Sequence, residues 1–247
     1  MLVSMTSHPD HRLDDLPSDS LVFCDIDNTV VLGASVYLFG VEAYRYGLIG
    51  WRDVVPALLD QRHFLKRGEN EKRMANTQER ALALLKGHTV EDFATVAHTV
   101  WREKMRDRLF PEMVGLLDEH VAAGHKVYLA SAGPEDLVTV IASGLGLTGA
   151  LGTRLETVGN IYTGRVEGSM LHGPVKAEAA FALADSLGVP RSKLVAYSDS
   201  YADLPLLDGV GHPVAVNPDR RLHDVATEKG WPIVWPVAAA RYRRYRL

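Results

Sequence analysis

A chain of 247 residues with 47% hydrophobic and 23% charged side chains carries enough apolar material for a sizeable core, which excludes a disordered or low-complexity polypeptide. A formal charge of −4 with a pI near 6.2 leaves no basic footprint for nucleic acid, and the single cysteine, Cys24, excludes an intrachain disulfide. No charged-then-apolar leader and no run of about 18 apolar residues occurs, so neither secretion nor a membrane span is expected and the cytoplasm is the expected compartment.

Residues 1–19 are polar, contain proline and lack periodicity, and are expected to form a flexible N-terminal arm. The first strand is expected in "LVFCDI", directly after Ser20. A long block at helical spacing follows between Ser35 and Arg108, with a helix start signal in Thr89 and, three residues later, Asp92. Beyond it come "KVYLAS", "KLVAYS", "PVAVN" and "PIVW", short apolar runs alternating with helical stretches. That alternation predicts an α/β fold, a doubly wound parallel sheet. The helical block is too long for one crossover, so it reads as a helical domain (35–108) inserted into a core made of 20–34 and 109–236. The basic tail 237–247, with Arg241, Arg243, Arg244 and Arg246, reads as a solvated end.

Three of the strand runs end in small polar or acidic residues. In open parallel sheets ligands sit beyond the carboxyl ends of the strands, so one cleft is expected to gather Asp25, Asp27, Ser131, Asp199 and Asp203. Each of these alone is an ordinary turn or cap residue. Four carboxylates together oppose one another's ionisation, and a cation would hold them; an all-oxygen set without His or Cys suits Mg²⁺. Lys176 is the second anomaly. Pro174 fits the first position of a helix, which places Lys176 in the opening turn, where the helix dipole disfavours a cation. Taken alone it would snorkel into solvent or pair with Glu178; beside an anionic cleft it would neutralise a carboxylate and a bound phosphate.

These residues resemble, in order, the four motifs of the haloacid dehalogenase superfamily of phosphohydrolases: "DIDNT", "VYLAS", Lys176 and "YSDSYADLP". The resemblance runs from about Ser20 to Pro236, and the insert between the first two motifs is similar to the C1 helical cap of the phosphoserine phosphatase-like branch (subfamily IB). It implies a Mg²⁺-dependent hydrolysis of a small phosphorylated metabolite. Asp25 would be the nucleophile that forms an aspartyl-phosphate. Asp27 would be the acid and base, with its main-chain carbonyl on the metal. Thr29 would position Asp27 and border the phosphate site. Ser131 and the Ala132 amide would bind phosphoryl oxygens, and Lys176 would bridge nucleophile and phosphate. Asp199 would ligate Mg²⁺ directly and Asp203 through water or as an orienting group. A dehalogenase needs no acid where Asp27 stands, so phosphomonoester cleavage is favoured over carbon–halogen cleavage.

A receiver-type phospho-acceptor module also gathers aspartates, a hydroxyl and a lysine around Mg²⁺. Such modules are compact and uncapped, and the long insert argues for an enzyme that shields an intermediate from water. For substrate contacts, the cap arginines Arg62, Arg67 and Arg73 are candidates, together with Ala34 and Ser35 at the start of the insert. Phosphoserine phosphatases carry a glutamate for the substrate ammonium where this chain has Ala34, so phosphoserine is expected to be a poor substrate unless an acid such as Glu42 substitutes. Cys24, whose side chain alternates away from that of Asp25, is expected in the core. The sequence leaves the role of His172 and the oligomeric state open.

Overall fold

The computed structural model describes residues 16–50 and 84–239. In chain order the strands are β1 (Leu21–Cys24), β2 (Lys126–Pro134), β3 (Gly149–Thr153), β4 (Leu155–Val158), β5 (Ile161–Val166), β6 (Leu194–Ser198), β7 (His212–Val216) and β8 (Ile233–Val234). Six of them form one sheet in the order β3-β2-β1-β6-β7-β8 with every pairing parallel, the α/β fold expected. β1 is central and buried along its whole length, which is why it reads as an unbroken apolar run.

The helices are α1 (Ser35–Arg45), α2 (Val90–Val100), α3 (Pro111–Ala122), α4 (Glu135–Gly144), α5 (Pro174–Ser186), α6 (Leu204–Asp208) and α7 (Arg220–Lys229). Alternate strand residues face opposite layers. Val22, Cys24, Leu129 and Tyr197 share one core with Leu117 of α3 and Ile141 of α4. Leu21, Phe23, Leu194 and Ala196 share the other with Ala180 and Ala184 of α5 and Leu222 of α7. Helices therefore cover both faces of the sheet, as the period-2 side-chain geometry of a buried strand demands.

β3 and the antiparallel hairpin β4–β5 have no counterpart in the strands expected from sequence. "GALGT" carries a single β-branched residue, Thr153, beside two glycines, so it does not mark itself as a strand; it becomes one by pairing beside β2.

The described part of the insert is helical. α2 starts on the expected capping box, with Thr89 accepting from the Asp92 amide and Asp92 accepting from the Thr89 amide. It runs on into a π turn at Trp101–Met105 and a 3₁₀ turn at Arg106–Arg108. Phe39 of α1 stacks on Phe93 of α2 at 4.3 Å between ring centres, and Phe93 meets Tyr162 of β5 edge-on at 5.5 Å. Backbone bonds from Val90 N to Asn160 O and from Tyr162 N to His88 O, each 3.0 Å, join the hairpin to the insert. Arg62, Arg67 and Arg73, residues 1–15 of the arm and the four tail arginines lie outside the described residues. No helix among the described residues is long and apolar enough to cross a membrane.

Candidate active site

The sheet order reverses direction at β1, so the crevice beyond the carboxyl ends of β1 and β6 is the topological switch point of the fold. Asp25 follows β1 directly and its amide donates to Tyr197 O of β6 at 2.9 Å, which fixes its carboxylate at the sheet edge. The chain then turns sharply at Asn28, whose φ of +60° is a left-handed conformation that asparagine tolerates better than most residues. Its Oδ1 accepts from Gly33 N at 3.1 Å, and its main-chain carbonyl accepts from Asn217 Nδ2 at 3.1 Å.

This turn separates the two acids. Asp27 is carried to the start of α1, where Ser35 N donates to its Oδ1 at 2.7 Å. Thr29 is carried back over Asp25 and its hydroxyl donates to Asp25 Oδ2 at 3.3 Å. Thr29, fully buried, thus bonds Asp25 and not Asp27, the acid it was expected to position. Ser35, only 1% exposed, gives its amide to Asp27.

Burial raises the Asp27 carboxyl to about 6, the charge of Asp25 adds to the rise, and the bonds from Ser35 oppose it. This has a measurable consequence in metal-free buffer. The folded chain holds the Asp27 proton more tightly than the unfolded chain, whose carboxyl titrates near 4. Its contribution to stability is therefore full below about pH 4 and lost as pH rises past about 6. In EDTA, Asp27→Asn should flatten the fall in unfolding free energy across that window and be about 1–2 kcal/mol more stable than wild type at pH 7.5. Urea titrations of both proteins between pH 4 and 8 check this; identical pH slopes would contradict it.

Ser131 lies on β2 where the pairing with β3 slips register between Ala130 and Pro134. The bulge places Ser131, 3% exposed, at the rim, and its Oγ accepts from Gly133 N at 3.2 Å. Lys176 enters from the other side of the sheet. Gly173, at φ +54°, makes the turn before Pro174 opens α5, and the lysine Nζ comes to 2.8 Å from both Asp25 Oδ1 and Asp203 Oδ2. Burial alone would favour the neutral amine, but the two carboxylates prevail and push its pKa far up, so it stays an ammonium. It pairs with these acids and not with Glu178, which is exposed. Burial raises the Asp25 carboxyl, Lys176 lowers it, and Asp203 raises it again.

Asp203 also accepts from the Ser198 hydroxyl at 2.6 Å, so one of its oxygens is shared between two donors. Among the described residues no three acidic, histidine or cysteine side chains are grouped closely enough to hold an ion by themselves. Asp203 serves Lys176, and the Asp27 side chain serves Ser35. The residues expected to hold a cation at the edges of β1 and β6 are hard-oxygen donors: the carboxylates of Asp25 and Asp199 and the main-chain carbonyl of Asp27. Two carboxylates and a carbonyl fit Mg²⁺, which keeps several waters and needs no all-protein cage. The segment bearing Asp199 is held by Asp219, which donates its amide to Asp199 O at 2.8 Å while its carboxylate accepts from Tyr201 N and caps α7 at Leu222 N. Ser198 lies in the fourth motif without a role read from it, and Asp219 lies outside every motif, although an Asp directly before a helical run is a capping signal. Cys24 is fully buried in the core and its thiol is pushed up by burial, as expected of a packing residue.

The model of the haloacid dehalogenase-like hydrolases matches residues 22–208. The chain belongs to that family. Phosphoserine phosphatase SerB1 of Mycobacterium tuberculosis H37Rv is 41% identical over 212 residues, which cover 85% of this chain and 69% of that protein. A histidinol-phosphatase of Neisseria meningitidis serogroup C is 29% identical over 87% of this chain and 98% of its own length. Among solved structures, a Bordetella pertussis Tohama I protein of unknown function superposes with a TM-score of 0.75 at 27% identity, covering 87% of this chain and 98% of that one. A phosphoserine phosphatase solved as a phospho-aspartyl intermediate analogue shares the fold, with a TM-score of 0.61 at 20% identity over 87% of this chain and 92% of its own. The six-stranded parallel sheet is thus the haloacid dehalogenase core, and the Asp25–Lys176–Asp203 cluster sits at that core's switch point.

Proposed function

We propose that the chain is a Mg²⁺-dependent cytoplasmic phosphatase that transfers the phosphoryl group of a small phosphomonoester to Asp25 and then to water. The observation that carries this reading is the buried Lys176 ammonium at 2.8 Å from both Asp25 and Asp203, with Asp27 held apart from it on Ser35. Attack and proton transfer need different carboxylates, and these two have different environments. Asp25, braced by Thr29 and Lys176, is oriented as a nucleophile. Asp27, raised to about 6, titrates close enough to neutrality to give a proton to a leaving oxygen and take one from the attacking water. Ser131 and the Ala132 amide bind phosphoryl oxygens opposite Lys176. Asp25, Asp199 and the Asp27 carbonyl would hold Mg²⁺, whose charge would offset repulsion between the anionic nucleophile and the anionic substrate. The insert 35–108 acts as the cap that keeps bulk water from the acyl phosphate.

The substrate reading follows from charge. Ala34 is the cap residue of α1 and offers no carboxylate. Glu42, the acid that could have substituted, is 3% exposed and is committed to Arg45 at 2.8 Å and Lys104 at 3.6 Å. An ester without an ammonium beside it is therefore favoured. The similarity to SerB1 favours a second reading, phosphoserine itself. Phosphate release from a panel of phosphomonoesters that includes phosphoserine decides between them. We expect release that requires Mg²⁺, stops reversibly with EDTA, and proceeds with higher kcat/KM on the non-amino esters. A clear preference for phosphoserine establishes the second reading, and activity untouched by thorough chelation overturns the metal assignment.

A further inference from the structure

Thr153, the last residue of β3, connects the two anion-binding elements of the site. Its side chain is 1% exposed. The hydroxyl donates to Ala132 O at 2.7 Å and accepts from Leu171 N at 3.0 Å. A hydroxyl has one proton, so with Leu171 N–H occupying an acceptor lobe, that proton is assigned to Ala132 O. The peptide joining Ala132 to Gly133 is planar; fixing its carbonyl fixes its N–H, and that N–H donates to Ser131 Oγ at 3.2 Å. Ser131 thus has a lone pair engaged from behind and keeps its own proton to donate outward. The Ser131–Gly133 stretch falls where the β2–β3 pairing slips register, so it lacks the regular ladder that would otherwise hold it. At its other end, Thr153 fixes Leu171, two residues before the positive-φ Gly173 that turns the chain into α5 and Lys176.

We infer that Thr153 is a positioning residue for phosphoryl binding: one hydroxyl aims Ser131 at the phosphoryl group and ties the approach to Lys176 to the same peptide. The inference rests on the phosphatase reading above. Sequence alone would assign a threonine at a strand end to packing or to a cap, because both of its partners come from distant segments.

Thr153→Val keeps the shape and removes both bonds. On an aryl phosphate with saturating Mg²⁺, it should raise KM and the inhibition constant of inorganic phosphate together, by about tenfold, with kcat changed less than about threefold. Thr153→Ser should restore both constants to within about threefold of wild type. Combined with Ser131→Ala, Thr153→Val should add little to the loss from Ser131→Ala alone, since its effect runs through the Ser131 hydroxyl. Near-UV circular dichroism verifies folding, and Thr153→Cys, a feeble donor of similar size, replaces the valine variant should that variant unfold. Unchanged KM and phosphate inhibition in the valine or cysteine variant, fully additive losses with Ser131→Ala, or a serine variant as impaired as the valine one would overturn the assignment. A wild-type protein that releases no phosphate from any ester would instead overturn the phosphatase reading beneath it.

Discussion

Asp25→Asn should bring phosphate release down by roughly 10⁴-fold or more, because the amide cannot attack phosphorus. Its neighbours give no substitute: Asp27 is turned away onto Ser35, and Asp203 is engaged by Lys176 and Ser198. Acid quenching during turnover of a radiolabelled ester should trap labelled protein in the wild type and none in the variant. The same variant should resist beryllium fluoride, which in the wild type mimics a phosphoryl group on Asp25. Labelled Asp25→Asn protein would mean that another side chain is the nucleophile.

Lys176→Met should be damaging on two counts. The chemistry loses the cation beside the transferring phosphoryl group, for which a fall of about 10³-fold in kcat/KM is expected. The fold loses the ammonium that compensates Asp25 and Asp203, whose side chains are 12% and 4% exposed. Removing one partner of a buried pair costs about 3 kcal/mol or more at neutral pH. The sign of the pH dependence follows. Without the ammonium Asp25 loses the group that lowers its carboxyl, and burial holds it further above its unfolded value, so the variant regains stability as pH falls and Asp25 becomes neutral. Adding Asp203→Asn should recover much of the stability at pH 7.5 and none of the activity. Chemical denaturation at pH 5 and pH 7.5 with parallel phosphate-release assays checks both halves; a single variant as stable as wild type at pH 7.5 would show that the triad is not a buried charge cluster.

Much of this site can be read from local pattern. The unbroken apolar run of β1 demands a strand covered on both faces, and an acid directly after such a strand falls at a carboxyl edge by geometry alone. Pro174 at the first turn of α5 places Lys176 at a helix start. The capping box at Thr89 and Asp92 begins α2 where it is expected, since both of its bonds join residues three apart.

What escapes the sequence depends on partners far away in the chain. Thr29 reaches Asp25 rather than Asp27 because Asn28 takes a left-handed turn whose carbonyl is held by Asn217, 189 residues on. Asp203 is drawn onto Lys176 because that lysine and Ser198 meet on one of its oxygens, and no spacing rule encodes that meeting. β3 is a strand through its docking against β2 more than through propensity, and backbone bonds join the β4–β5 hairpin to the insert. The linear chain thus determined the fold class and the sheet edge at which Asp25, Ser131, Lys176 and Asp203 lie. Which hydrogen bond each of those residues makes was decided only by tertiary packing, because a buried carboxylate or hydroxyl binds whichever donors and acceptors the assembled elements bring within about 3 Å.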